Sequence, residues 1–69
     1  MKTTYRVTVK FVTIYTNEEY NKVEYSNDFR QALGAYIVYI ENPETVFCTV
    51  DIVGRNNNCK KIVAAYKAP

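Results

Sequence analysis

Apolar side chains recur at Phe29, Ala32, Leu33, Tyr36, Ile37 and Ile40. Spacings of i, i+3, i+4, i+7, i+8 and i+11 lay one stripe along a helix, and no other stretch of the chain has a helical period. The predicted helix runs from Asp28 to Asn42. Asp28 is placed to cap it, because its carboxylate can accept from the free amides of the first turn, and Gln31 sits where a reciprocal capping partner would. Asn42 tolerates a left-handed conformation, and Pro43 cannot continue a helix and disfavours the α region for Asn42. Opposite the stripe lie Arg30, Gln31, Gly34, Val38 and Glu41, with Ala35 and Tyr39 between the two sides. Two of these are odd. Gly34 costs roughly 1 kcal/mol against Ala inside a helix, and Val38 points almost directly away from the stripe. A helix with one exposed Val is ordinary; a contact patch for a partner is the sharper reading.

The remaining patterns have a period of two, as strands do. In residues 4–15, Tyr5, Val7, Val9 and Phe11 alternate with Arg6, Thr8 and Lys10. The parity then slips, because Val12 and Ile14 are apolar on the other face; a bulge near Phe11 or a two-sided cover accounts for it. Tyr20 to Tyr25 forms a shorter strand, with Val23 and Tyr25 on one side. Its Lys22 and Glu24 suit a sheet edge. Residues 45–53 place Val46, Cys48, Val50 and Ile52 on one face and Thr45, Phe47, Thr49, Asp51 and Val53 on the other, so this strand is apolar on one side and half apolar on the second. Gly54 to Asn58 reads as a turn. Residues 60–67 follow, with Ile62, Ala64 and Tyr66 opposite Lys61, Val63, Ala65 and Lys67.

The predicted fold class is α+β: a two-layer ββαββ sandwich, a four-stranded, mostly antiparallel sheet with one helix on one face. A right-handed crossover from the second strand to the third allows two strand orders. In one, the first and fourth strands pair in the centre. That element order resembles the β-grasp of small bacterial immunoglobulin-binding domains. It leaves 45–53 at an edge, where a two-faced apolar strand invites a second chain, and a homodimer through that edge is the corollary. In the other order, the third strand lies beside the first.

Composition narrows the function. At 69 residues, 48% hydrophobic and 23% charged, the chain reads as one globular domain over 1–69. The net charge of +2 is too small to argue for nucleic acid by itself. The first residues lead straight into a strand pattern and no apolar run approaches a membrane span, so the expectation is a cytoplasmic protein with no membrane partner. There the two cysteines, Cys48 and Cys59, are expected to be reduced. A hairpin turning around Asn56 puts Cys48 opposite Ala64 and Cys59 opposite Val53, too far apart to bridge.

Chemistry is sparse. The chain has no His, the commonest general base and a frequent metal ligand. Glu18, Glu19 and Asp51 are the acids that merit attention, and they form no pair at a fixed separation of the kind a glycosidase needs. With Gly34 and Gly54 the only glycines, a phosphate loop is ruled out. We therefore expect no enzyme, no cofactor and no metal site.

Two binding surfaces remain. A protein partner would meet Arg30, Val38 and Tyr39 on the helix, with Phe47 and Asp51 on the sheet. Alternatively, Arg6, Lys10, Phe47, Lys61 and Lys67 on the uncovered sheet face would hold a nucleic acid by charge and stacking. A short chain with seven Tyr, an Asn56-Asn57-Asn58 turn and no catalytic set resembles, in character, the small accessory proteins of bacteriophages and mobile elements. That resemblance implies a protein that binds and inhibits or modulates a host protein, defence systems such as CRISPR effectors included.

Overall fold

The computed structural model describes residues 2–69, and its order of elements is ββαββ. The strands are β1 (Tyr5–Val12), β2 (Glu19–Ser26), β3 (Thr45–Val53) and β4 (Cys59–Lys67), with the helix α1 (Phe29–Glu41) between β2 and β3. A 3-10 turn, Arg55–Asn57, joins the last two strands. The sheet order is β2-β1-β3-β4, and every neighbouring pair is antiparallel. This is the second of the two permitted orders. β3 therefore lies in the interior, hydrogen-bonded on both sides, and the homodimer expected through its edge has no free edge to use. The two-faced apolar character of residues 45–53 reflects a central strand.

The helix begins where its chemistry dictates. The Asp28 carboxylate accepts from the backbone N–H groups of Arg30 and Gln31 at 2.9 and 3.4 Å. Gln31 does not reciprocate; its Oε1 accepts from the Ser26 hydroxyl, which also accepts from the Asp28 N–H. At the far end Asn42 is extended rather than left-handed (φ −76°, ψ 122°). Pro43 imposes this, and Asn42 Oδ1 then accepts from the Glu44 N–H at 2.9 Å.

The face that α1 buries is turned from the predicted stripe. Ala32 is buried, and Ala35, Tyr36, Tyr39 and Ile40 pack against the core, whereas Ile37 is 45% exposed. Two small residues, Ala32 and Ala35, let the helix backbone approach the sheet, and the rings of Tyr36 and Tyr39 flank them. α1 packs chiefly on β3 and β1 and more lightly on β2. Beneath it the buried apolar residues are Val7, Val9, Cys48 and Val50, paired across the ladder as Val7 with Val50 and Val9 with Cys48. Phe29 stacks on Tyr5 with ring centroids 5.4 Å apart, and Tyr39 meets Phe11 edge-on at 5.7 Å.

Irregularities fall at three points. The β1–β3 register shifts between Lys10 and Phe11, near the expected bulge, and the extra residue is Val46 in β3. β4 carries two further shifts, so that Cys48 opposes Tyr66 rather than Ala64 and Ile62 opposes Asp51. Bulges of this kind blunt an edge strand. In the β3–β4 turn the left-handed positions are taken by Asn56 and Asn57, both at φ 60°, while Gly54 is extended. Among the described residues no helix is long and apolar enough to cross a membrane.

Candidate interaction surfaces

Cross-strand register fixes what the side of the sheet away from α1 presents. Three rows cross all four strands: Tyr25, Arg6, Asp51, Ile62; then Val23, Thr8, Thr49, Ala65; then Asn21, Lys10, Phe47, Lys67. Tyr25 is 55% exposed, Val23 47%, Phe47 39% and Ile62 57%. β2 thus turns Val23 and Tyr25 outward, beside Asn21, and gives Lys22 and Glu24 to the helix side. There Glu24 accepts from the Tyr39 hydroxyl at 2.8 Å, and Lys22 lies over the Tyr39 ring. Burial, then the Glu24 hydrogen bond, raises the Tyr39 phenol above its ordinary pKa.

In the first row Arg6 and Asp51 lock together. Arg6 Nε and Nη2 donate to the two Asp51 oxygens at 3.0 and 2.6 Å, and Nη1 donates to the Asn57 carbonyl at 2.9 Å. The guanidinium therefore ties the centre of the sheet to the β3–β4 turn. Asp51 is buried, at 4% exposure, and its hydrogen bond raises the Arg6 pKa further. The other acids are also engaged: Glu18 accepts from the Tyr20 hydroxyl at 2.6 Å and Glu19 lies 3.3 Å from the Lys10 ammonium.

The five residues predicted to meet a protein partner do not form one surface. Arg30 and Val38 are exposed on the outside of α1, Val38 at 68%. Tyr39 is turned inward against Phe11 and Glu24, and Phe47 and Asp51 lie on the far side of the sheet. The predicted nucleic-acid set splits as well. Lys10, Phe47 and Lys67 stand side by side in one row. Arg6 is taken by Asp51, and Lys61 opposes Ile52, on the helix side.

The outer face of α1 consists of Arg30, Gly34, Ile37, Val38 and Glu41, all exposed. Their spacing of i, i+4, i+7, i+8 and i+11 makes one ridge. A Cβ built on Gly34 meets nothing within 4 Å, so nothing inside this domain requires a glycine there. Ile37, Val23, Tyr25 and Ile62 are surface residues that sequence reasoning did not assign. The only signal for them is the register and the rotation of the helix, neither of which hydrophobic periodicity reports.

Cys48 is buried and Cys59 exposed, and both are free thiols. Burial pushes the Cys48 thiol up to about 11. Comparison with protein-family models, with curated proteins and with solved structures finds no match for this chain.

Proposed function

We propose that this chain is a non-enzymatic protein-binding domain, of the kind phages and mobile elements encode to inhibit or modulate a host protein in the host cytoplasm, and that it engages its partner through the outer face of α1. One observation carries the reading. Gly34 stands exposed in the middle of a helix, beside Val38 at 68% and Ile37 at 45% exposure, with open space where a Cβ would be. A mid-helix glycine costs roughly 1 kcal/mol relative to Ala, and no internal contact offsets it. Close approach of a partner's backbone over a glycine notch beside two apolar side chains does offset it. Engagement of Asp51, Glu18 and Glu19 in structural bonds supports the non-enzymatic part.

The test separates stability from binding. Tagged protein is used to capture a bacterial partner, which is identified by mass spectrometry, and capture is compared for wild type, Gly34→Ala and Val38→Asp. Gly34→Ala should be more stable by about 1 kcal/mol and yet capture less, and Val38→Asp should capture little. Equal capture by all three proteins sinks the assignment to this face, and no capture by wild type sinks the function.

A second reading keeps one specific support. In the row Lys10, Phe47, Lys67, a ring lies between two cations, the arrangement that holds single strands by stacking and charge. It predicts retardation of single-stranded oligonucleotides at low salt that fades steeply as salt rises; no retardation at low salt removes it.

A further inference from the structure

We propose that the uncovered face of the sheet is the interface of a two-fold symmetric homodimer, in which two copies pack sheet to sheet with their helices outward. The first argument is area. The domain exposes 5179 Å², whereas a compact monomer of its 8.0 kDa is expected to expose about 4,450 Å². The excess of about 700 Å² is close to the ~800 Å² that each partner contributes to a standard interface. The shape agrees, since the radius of gyration is 12.5 Å against about 11 Å for a compact domain of this length. The second argument is stability. Among the described residues the buried apolar side chains are Val7, Val9, Ala32, Cys48 and Val50, none larger than Val, and the cysteines form no bridge. A core of such small side chains leaves a domain of this size marginal in stability, and a disulfide, a metal or a partner is the usual reinforcement. A second copy is the partner present wherever the chain folds.

The third argument selects the geometry. A two-fold axis running parallel to the strands, between β1 and β3, lays β1 over the β3 of the second copy and β2 over its β4. Each row then meets itself reversed. Tyr25 falls over Ile62, Arg6 over Asp51, Val23 over Ala65, Thr8 over Thr49 and Lys10 over the Phe47 ring. Apolar meets apolar, the internally neutralised Arg6–Asp51 pair of one copy meets that of the other, and a lysine meets a ring face. The row nearest the middle of the interface is uncharged and small, which lets two sheets close to the ~10 Å of face-to-face packing. An axis across the strands would instead set Ile62 over Lys67 and Tyr25 over Asn21, so the matching of apolar residues chooses between the two.

Sedimentation equilibrium of the whole chain, with Val23→Glu and Ala65→Glu as variants, tests the interface. Val23 and Ala65 are exposed in the single chain, so circular dichroism should show both variants folded. Wild type should sediment at twice 8.0 kDa and each variant as a monomer, with at least a hundredfold weaker association. A cysteine pair then tests the symmetry, in a Cys59→Ser background. Val23→Cys chains mixed with Ala65→Cys chains should oxidise to the mixed dimer, and neither alone should self-link, because the two copies of β2 lie at opposite edges. A monomeric wild type, a dimer insensitive to both glutamates, or self-linking of Val23→Cys in preference to the mixed product would each overturn the proposal. These readouts do not involve the outer face of α1, so the result is independent of the partner-capture test.

Discussion

Removing the Arg6 guanidinium tests the ion pair in which a buried carboxylate takes part. Arg6→Met keeps most of the aliphatic stem and deletes both hydrogen bonds to Asp51 and the one to the Asn57 carbonyl. At about 3 Å and an effective dielectric near 20 the gross attraction is about 5 kcal/mol. Desolvation of both ions offsets much of this, so the measurable quantity is the cost of stranding the Asp51 carboxylate. One-partner removal from a fully buried pair costs about 3–5 kcal/mol. The Arg6 side chain is 19% exposed and that of Asp51 5%, so water screens the pair in part and we take about 2–3 kcal/mol. For a chain of this size the urea slope is about 1 kcal/mol/M, so the midpoint should fall by about 2–3 M. The measurement belongs in the Val23→Glu background, where association does not enter the equilibrium. The double variant Arg6→Met/Asp51→Leu removes the stranded charge and should recover most of the loss. A single-variant cost below about 0.5 kcal/mol would show that the pair is screened like a surface salt bridge. A double variant as unstable as the sum of the singles would show that packing, not charge, is what Arg6 supplies.

Three further outcomes follow from named contacts. Asp28→Ala removes the acceptor for two first-turn N–H groups and should cost about 1 kcal/mol in thermal or urea unfolding. Thr45 is 2% exposed and its hydroxyl has no hydrogen-bond partner among the described residues; Thr45→Val should therefore stabilise by about 1 kcal/mol, and a loss would place an ordered water on that oxygen. Only Cys59 should react promptly with Ellman's reagent at neutral pH, with Cys48 reacting at the rate of opening. The folded Cys48 pKa of about 11 stands above the ordinary 9.0, so the stability due to its neutral form is whole below pH 9 and is lost as pH rises from 9 to 11. Cys48→Ala should flatten that alkaline limb of a stability–pH profile.

How far the sequence carries depends on which interaction decides each feature. The helix boundaries were legible because they are local: Asp28 reaches amides two and three residues away, and Pro43 acts on its neighbour. The strands were legible from alternation. The facing of α1 was not, because hydrophobicity ranks Ile37 above Ala35, whereas the sheet selects the smaller side chain for close approach. Tyr39 misled for a related reason. Its ring packs on Phe11 while its hydroxyl reaches Glu24, so a residue with a polar end sits inside. Strand order was open because both orders obey the same crossover rule. The deciding clue was the apolar character of both faces of residues 45–53, which belongs to a strand flanked on each side. The split of the candidate sites follows from this order, since placing β3 beside β1 brings Asp51 to Arg6 and removes both from any surface that binds a ligand.

The two proposals use opposite sides of the molecule, and the fold gives a reason for that division. One helix of 13 residues cannot shield both faces of a four-stranded sheet, so one face is left open whatever the sequence. A chain with a solvated open face fills it with charge and short polar groups. Here that face has Tyr25, Val23, Phe47 and Ile62 substantially exposed, while its Arg6 and Asp51 are neutralised against each other. Such a face is suited to burial against a like surface. If it is buried in a dimer, the outer ridges of the two α1 helices become the outward surfaces of the assembly, one on each side. A regulator built in this way presents the Gly34 notch twice. Binding of a partner with two sites, or of two partner molecules, should therefore be stronger for the dimer than for the Val23→Glu monomer, even though Val23 is remote from the helix ridge. Equal capture by dimer and monomer, measured with an immobilised partner at high surface density, would mean that the two ridges cannot engage together and that dimerisation serves the fold alone.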